Sequence, residues 1–122
     1  MVRYLLDTDI CSYIMKRSHP ALLERIRGVP IADQALSAVT AAELLYGVKL
    51  SSKQKQVREA FHAFVRHLEV MEWPAEAAEH YADIRADLKR RGEMIGANDL
   101  LIAAHTRSLK AILVTNNVRE FG

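Results

Sequence analysis

The sequence predicts an α/β fold, a sandwich of helices around a mostly parallel central sheet. Three observations point to it. Short apolar runs end abruptly at polar residues, as buried strands do; the segments between them carry helical periodicity; and the two kinds alternate along the chain. The 122 residues, half of them hydrophobic and 26% charged, suit one compact domain spanning 1–122. No repeat, low-complexity tract or Gly/Ser/Pro-rich linker interrupts it.

The elements follow in order. Residues 3–6 form an apolar run that stops at Asp7-Thr8-Asp9, which predicts a buried strand feeding a helix over about 8–16. Pro20 suits a first helical turn and Gly28 a stop, so a second helix fills that interval. Residues 35–39 read as a strand, after which Thr40-Ala41-Ala42-Glu43 opens a helix to about Val48. Val57, Phe61, Phe64 and Leu68 recur at intervals of four, three and four, which draws one apolar stripe along the next helix. Residues 70–73 are a short strand ended by Pro74, and Ala77, Tyr81, Ile84 and Leu88 mark a helix across 75–91 that Gly92 stops. Asn98 is placed to cap a helix whose opening, 100–104, is almost wholly apolar and therefore buried. Residues 111–114 are the last strand, followed by Thr115-Asn116-Asn117.

Composition excludes several classes. Cys11 is the only cysteine, so no disulfide forms within the chain, and a single thiol without a signal-like opening points to a cytoplasmic protein. No apolar run approaches the roughly 20 residues that a spanning helix needs. The net charge of +2 is too small to name a partner. Its distribution says more: Lys49, Lys53, Lys55 and Arg58 form one basic cluster, and Lys89, Arg90 and Arg91 another. Such clusters serve either as phosphate contacts or as ordinary solvated helix surface.

In open parallel sheets, ligands sit beyond the carboxyl ends of the strands, so polar residues just after strands carry the most weight. Asp7 and Asp9 follow the first strand, Glu43 lies one turn into the helix after the second, and Asp99 opens the apolar helix before the last. Asn116, Asn117 and Glu120 follow that last strand. Parallel neighbouring strands bring all of these to one end of the sheet. Carboxylates so gathered repel one another, and a divalent cation relieves them. Oxygen donors favour Mg²⁺ or Mn²⁺ over Zn²⁺. No competing zinc site is evident, since His62 and His67 point different ways on one helix and His19, His80 and His105 are scattered. Each acid also has a structural reading. Asp7 or Asp9 suits a helix cap, Glu43 a capping box with Thr40, and Asp99 a second cap beside Asn98. A carboxylate ahead of so apolar a helix is nonetheless costly without a partner. Glu120 and Asp33 read alone as surface and loop acids.

These same residues resemble a PIN domain of the VapC toxin group. Tyr4-Leu5-Leu6-Asp7-Thr8-Asp9-Ile10 is similar to that group's strand followed by D-T-[ND]. The run from Ser37 through Thr40 and Glu43 to Gly47 resembles its S-x-x-T-x-x-E-x-x-x-G motif. Ile95-Gly96-Ala97-Asn98-Asp99 with the apolar residues after it is similar to the third motif, and Leu113-Val114-Thr115-Asn116-Asn117 through Glu120 to the fourth. Four motifs stand in order over nearly the whole chain.

The resemblance implies an α/β/α fold and metal-dependent endoribonuclease activity, with in-line attack of an activated water on an RNA phosphodiester. By position, Asp7 and Asp99 would be the metal ligands, with Mg²⁺ the cofactor and Mn²⁺ a substitute. Glu43 would support the metal and orient the nucleophile, Asp9 would have a lesser part, and Thr8 and Thr115 would orient carboxylates or waters. Many relatives have an aspartate where this chain has Asn117; the change weakens the case for two metals and spares a one-metal site, and it leaves the number open, with Glu120 a candidate source of the missing negative charge. Similar toxins continue for a short tail beyond the position of Gly122. The implied partners are an RNA substrate, tRNA with the initiator anticodon loop as the nearest precedent, a second copy of the chain in a homodimer, and a VapB-like antitoxin seated on helices within 8–68. Two rivals share parts of the pattern. A haloacid-dehalogenase-like phosphatase also opens D-x-D, but needs a late acidic pair and a lysine in its own order. A phosphoacceptor receiver domain wants a lysine where Asn116 and Asn117 stand.

Overall fold

Four short parallel strands lie in the order β3-β2-β1-β4: β1 (Tyr4–Leu6), β2 (Gln34–Ser37), β3 (Glu69–Met71) and β4 (Ile112–Val114). The structure, a computed structural model, describes residues 1–116. Tyr4 pairs with Gln34 on one side and Ile112 on the other, so β1 and β2 are the inner strands. Their apolar side chains are sealed, with Leu5 and Leu36 fully buried, whereas the edge residues Val70 and Ile112 are exposed. Parallel strands need long crossovers, and helices supply each one. Between β1 and β2 run α1 (Thr8–Lys16) and α2 (Pro20–Arg27), between β2 and β3 run α3 (Ala38–Leu50) and α4 (Gln54–Val65), and between β3 and β4 run α5 (Ala77–Arg91) and α6 (Ala97–Ser108).

One core joins the sheet to the first four helices. Leu6 and Leu36 of the sheet meet Ile10 and Cys11 of α1, Ala41 and Val48 of α3 and Phe61 of α4, with Leu22 and Ile26 of α2 packed at the margin. The periodic stripe Val57–Phe61–Phe64–Leu68 lies against this cluster, which is why so polar a helix forms there. The helix α5 ends where Gly92 adopts φ 67°, a left-handed conformation that glycine enters without a side-chain clash. Trp73, just past β3, donates its indole N–H to the Leu101 carbonyl at 2.8 Å and so pins α6 to the sheet.

The pattern of sequence located all four strands and all six α-helices; β3 lies at Glu69–Met71 rather than 70–73, α3 runs on to Leu50 and α5 starts at Ala77, and two further boundaries bear on the site. The second strand stops at Ser37, not at 39, because Ser37 is the helix cap: its Oγ accepts from the Val39 N–H at 3.2 Å. Thr40 is therefore inside the first turn, fully buried, and the Thr40–Glu43 capping box does not exist. The sixth helix starts from Gly96 rather than Asn98, which leaves Asn98 and Asp99 both within its first turn.

Candidate active site

Because the strands are parallel, their carboxyl ends face the same way, and the segments that follow β1, β2 and β4 bring polar residues there. Asp7 leaves β1 while its N–H still reaches the Val114 carbonyl at 3.1 Å, so the chain stays paired to the edge of the site. Its side chain turns inward and is 4% exposed. Oδ1 accepts from the Ile10 N–H at 2.9 Å and caps α1, and Oδ2 accepts from the Thr115 hydroxyl at the end of β4. Burial pushes the Asp7 carboxyl above its ordinary value. The Thr115 and Ile10 hydrogen bonds pull it down, and the charges of Asp9 and Glu43 raise it again.

Glu43 reaches the same place from α3. Its Oε1 accepts from the Thr8 hydroxyl at 2.5 Å and its Oε2 from the Asn98 amide at 3.3 Å, which ties α3 to the starts of α1 and α6. Asp99 arrives from the first turn of α6, with its Oδ2 close over Gly96 at a position where a side chain would stand 3.4 Å away. Asp7, Thr8, Asp9, Glu43 and Asp99 together line one cavity of about 210 Å³.

That cavity suits a hydrated divalent cation. Its lining side chains offer oxygen donors only, and its volume exceeds the space of several waters at roughly 30 Å³ each. Among the described residues, no three acidic, histidine or cysteine groups close into a ready-made ligand cage. Mg²⁺ does not require one, because it keeps several waters and takes one or two carboxylates. Asp7, Asp9, Glu43 and Asp99 are the carboxylates that line it, and Asp7 and Asp99 could hold such an ion.

The structure thus brings together Asp7, Asp9, Glu43 and Asp99, with Thr8 and Thr115 bonded to carboxylates. Asn117 and Glu120 lie outside the described residues. Asp33 ends a short 3₁₀ turn and meets β1 only through its carbonyl, which accepts from the Arg3 N–H at 2.8 Å. Two contacts were not legible from sequence. Asn98, read as a cap, is a partner of Glu43, and the adjacent Asn98-Asp99 pair at a helix start was the available clue. His105 is fully buried and lies 2.9 Å from the Ser37 hydroxyl, with no clue beyond a histidine in an apolar helix.

Comparison with known proteins identifies the family. The PIN domain family model matches residues 4–121. Ribonuclease VapC2 of Haemophilus influenzae is 37% identical over 121 residues, covering 99% of this chain and 91% of that protein. The tRNA(fMet)-specific endonuclease VapC of Shigella flexneri shows the same identity and coverage. The crystal structure of DNA-bound VapBC from Salmonella typhimurium superposes with a TM-score of 0.92 at 34% identity, over 99% of this chain and 91% of that one. With the family model matching residues 4–121 and relatives 37% identical over nearly the whole chain, the chain belongs to the PIN-domain family, among the VapC ribonucleases.

Proposed function

We propose that this chain is the toxin of a VapBC-type toxin–antitoxin pair, a cytoplasmic single-domain endoribonuclease that depends on Mg²⁺ and cuts tRNA. The observation that carries the reading is the convergence of Asp7, Asp9, Glu43 and Asp99 on one cavity at the carboxyl ends of parallel strands. A bound divalent cation lowers the pKa of a coordinated water and neutralises charge on a phosphodiester.

The side chains do the rest. Asp7, fixed through both oxygens, and Asp99 hold the cation-binding face of the cavity. Glu43, clamped by Thr8 and Asn98, keeps lone pairs free to accept a hydrogen bond from the attacking water and take its proton. Attack at phosphorus breaks the P–O3′ bond and leaves a 5′-phosphate and a 3′-hydroxyl. The tRNA specificity in the name of the Shigella flexneri relative supports tRNA as the substrate class.

The inhibitor site is adjacent. A second cavity of about 480 Å³ lies among α1, α3 and α4, lined by Met15, Leu44 and Val57, and it shares Thr8, Asp9 and Glu43 with the acidic one. An antitoxin segment laid in that groove would reach the carboxylates directly, and a basic side chain there would compete with the metal by charge. A homodimer completes the proposed assembly, as in the family resemblance.

The test is cleavage of purified total tRNA with Mg²⁺ or EDTA, alongside Asp99→Asn. Magnesium-dependent cuts at few positions, absent in the variant, are expected. The same cuts in EDTA or with Asp99→Asn would overturn the reading.

A further inference from the structure

The carboxylates of Glu43 and Asp99 sit on different helices, so their spacing depends on how α3 and α6 are fixed to each other. Side-chain ties that cross that interface include one at the site and one away from it. At the site, Asn98 donates to Glu43 at 3.3 Å, and Asn98 is exposed, so water competes for this bond. Away from the site, Nδ1 of His105 lies 2.9 Å from Oγ of Ser37, and both residues are 0% exposed.

The ties share one register. Ser37 stands six residues before Glu43 on one side, and His105 seven after Asn98 on the other. At ~1.5 Å per residue these spans are about 9 and 10.5 Å, so antiparallel helices satisfy both at once. Ser37 is also the cap that starts α3, since its Oγ accepts from Val39. The imidazole therefore touches the atom from which the Glu43 helix begins.

The histidine is not explained by packing alone. Its Nε2 is buried with no hydrogen-bond partner among the described residues, a cost that an apolar ring of similar size would avoid. Burial holds its pKa below the ordinary value, so the ring is neutral at pH 7 and its bond to Ser37 is one between neutral groups.

We propose that His105 is a positioning residue: through Ser37 it fixes the start of α3 against α6, and so sets the spacing at which Glu43 and Asp99 meet a divalent cation. The proposal rests on the metal-dependent reading above.

The experiment measures Mn²⁺ binding to the full chain by calorimetry, without RNA, with folding followed by circular dichroism. His105→Phe keeps the ring volume and removes the bond, and should weaken Mn²⁺ binding roughly tenfold while remaining folded. His105→Asn, whose amide offers a donor or an acceptor near the Nδ1 position, should recover most of that loss. The double variant Ser37→Ala/His105→Phe should bind no more weakly than the weaker single variant. A folded His105→Phe chain with wild-type Mn²⁺ affinity overturns the proposal. Should His105→Phe not fold, Ser37→Ala and Ser37→Thr decide: loss in the first with retention in the second supports the tie, and wild-type affinity in the first overturns it. Asp99→Asn separates the two readings. Wild-type uptake lost in Asp99→Asn but kept in His105→Phe removes this inference alone, whereas no uptake by the wild type removes the metal reading with it.

Discussion

The Thr115 hydroxyl donates to Oδ2 of Asp7, joining the end of β4 to the end of β1 through a carboxylate that lines the acidic cavity. The bond favours the ionised carboxylate and fixes its orientation. Thr115→Val preserves the shape and removes the donor. Nuclease activity should fall about 10–100-fold, as for other groups that orient a metal ligand. Loss of one hydrogen bond should cost only ~1 kcal/mol of stability. Cleavage rates and thermal melts on the same preparation check both, and full activity in the variant would free Asp7 from dependence on this contact.

Burial works against the charge of Asp7. Its carboxyl titrates above the ordinary 3.8 because burial opposes the charge. The folded chain therefore binds this proton more tightly than the unfolded one. Stability from this group is present below 3.8 and is lost as pH rises through the raised folded value. At neutral pH and without metal, Asp7→Asn should therefore raise the melting temperature. Asparagine can still accept from Ile10 as a cap. Activity should vanish in the same variant. A lowered melting temperature would show that the Asp7 charge stabilises the fold.

His105 acts in the opposite direction and at higher pH. Burial lowers its pKa from 6.5, so the unfolded chain takes up a proton before the folded one does. Its contribution is fully present above 6.5 and is lost as pH falls through the folded value. Denaturant unfolding of the wild type should weaken between neutral and mildly acidic pH, and His105→Phe should show a flatter profile over that interval. Parallel profiles would assign the acid sensitivity to other groups.

Local patterns showed most of this molecule. Strands ending at Asp7 and before Thr115, the stripe from Val57 to Leu68 and the stop at Gly92 are all written in short-range periodicity and turn chemistry. The acids were found because strand ends in a parallel sheet point one way. What stayed hidden depended on choices between near-equivalents. Ser37 and Thr40 both suit a cap, and Val39 suits a strand, so only the pairing of Ser37 with Met71 ends β2 where it does. Asn98 likewise looked like a cap until Gly96 took that position. Contacts such as Asn98 with Glu43 and His105 with Ser37 join residues 55 and 68 positions apart, which no local pattern encodes.

The basic end of α5 divides into unequal parts. The Arg91 guanidinium is already engaged, with Asp87 at 3.2 Å and Glu93 at 3.3 Å. These pairs are exposed and screened, so they add little stability, yet they offset the charge that Arg91 would present to a phosphate. Lys89 and Arg90 are exposed on the same turn, and this segment leads through Gly92 into the helix that carries Asp99. Lys89→Ala/Arg90→Ala should therefore weaken RNA binding more than Arg91→Ala does. Each phosphate contact contributes about 0.7 to the dependence of log affinity on log salt for single strands, so losing two should flatten the slope by about 1.4. Binding is measured across a salt series with Asp99→Asn, so that the RNA stays intact. An unchanged slope would take the end of α5 out of the RNA contact and leave Lys49, Lys53, Lys55 and Arg58 as the surface to test.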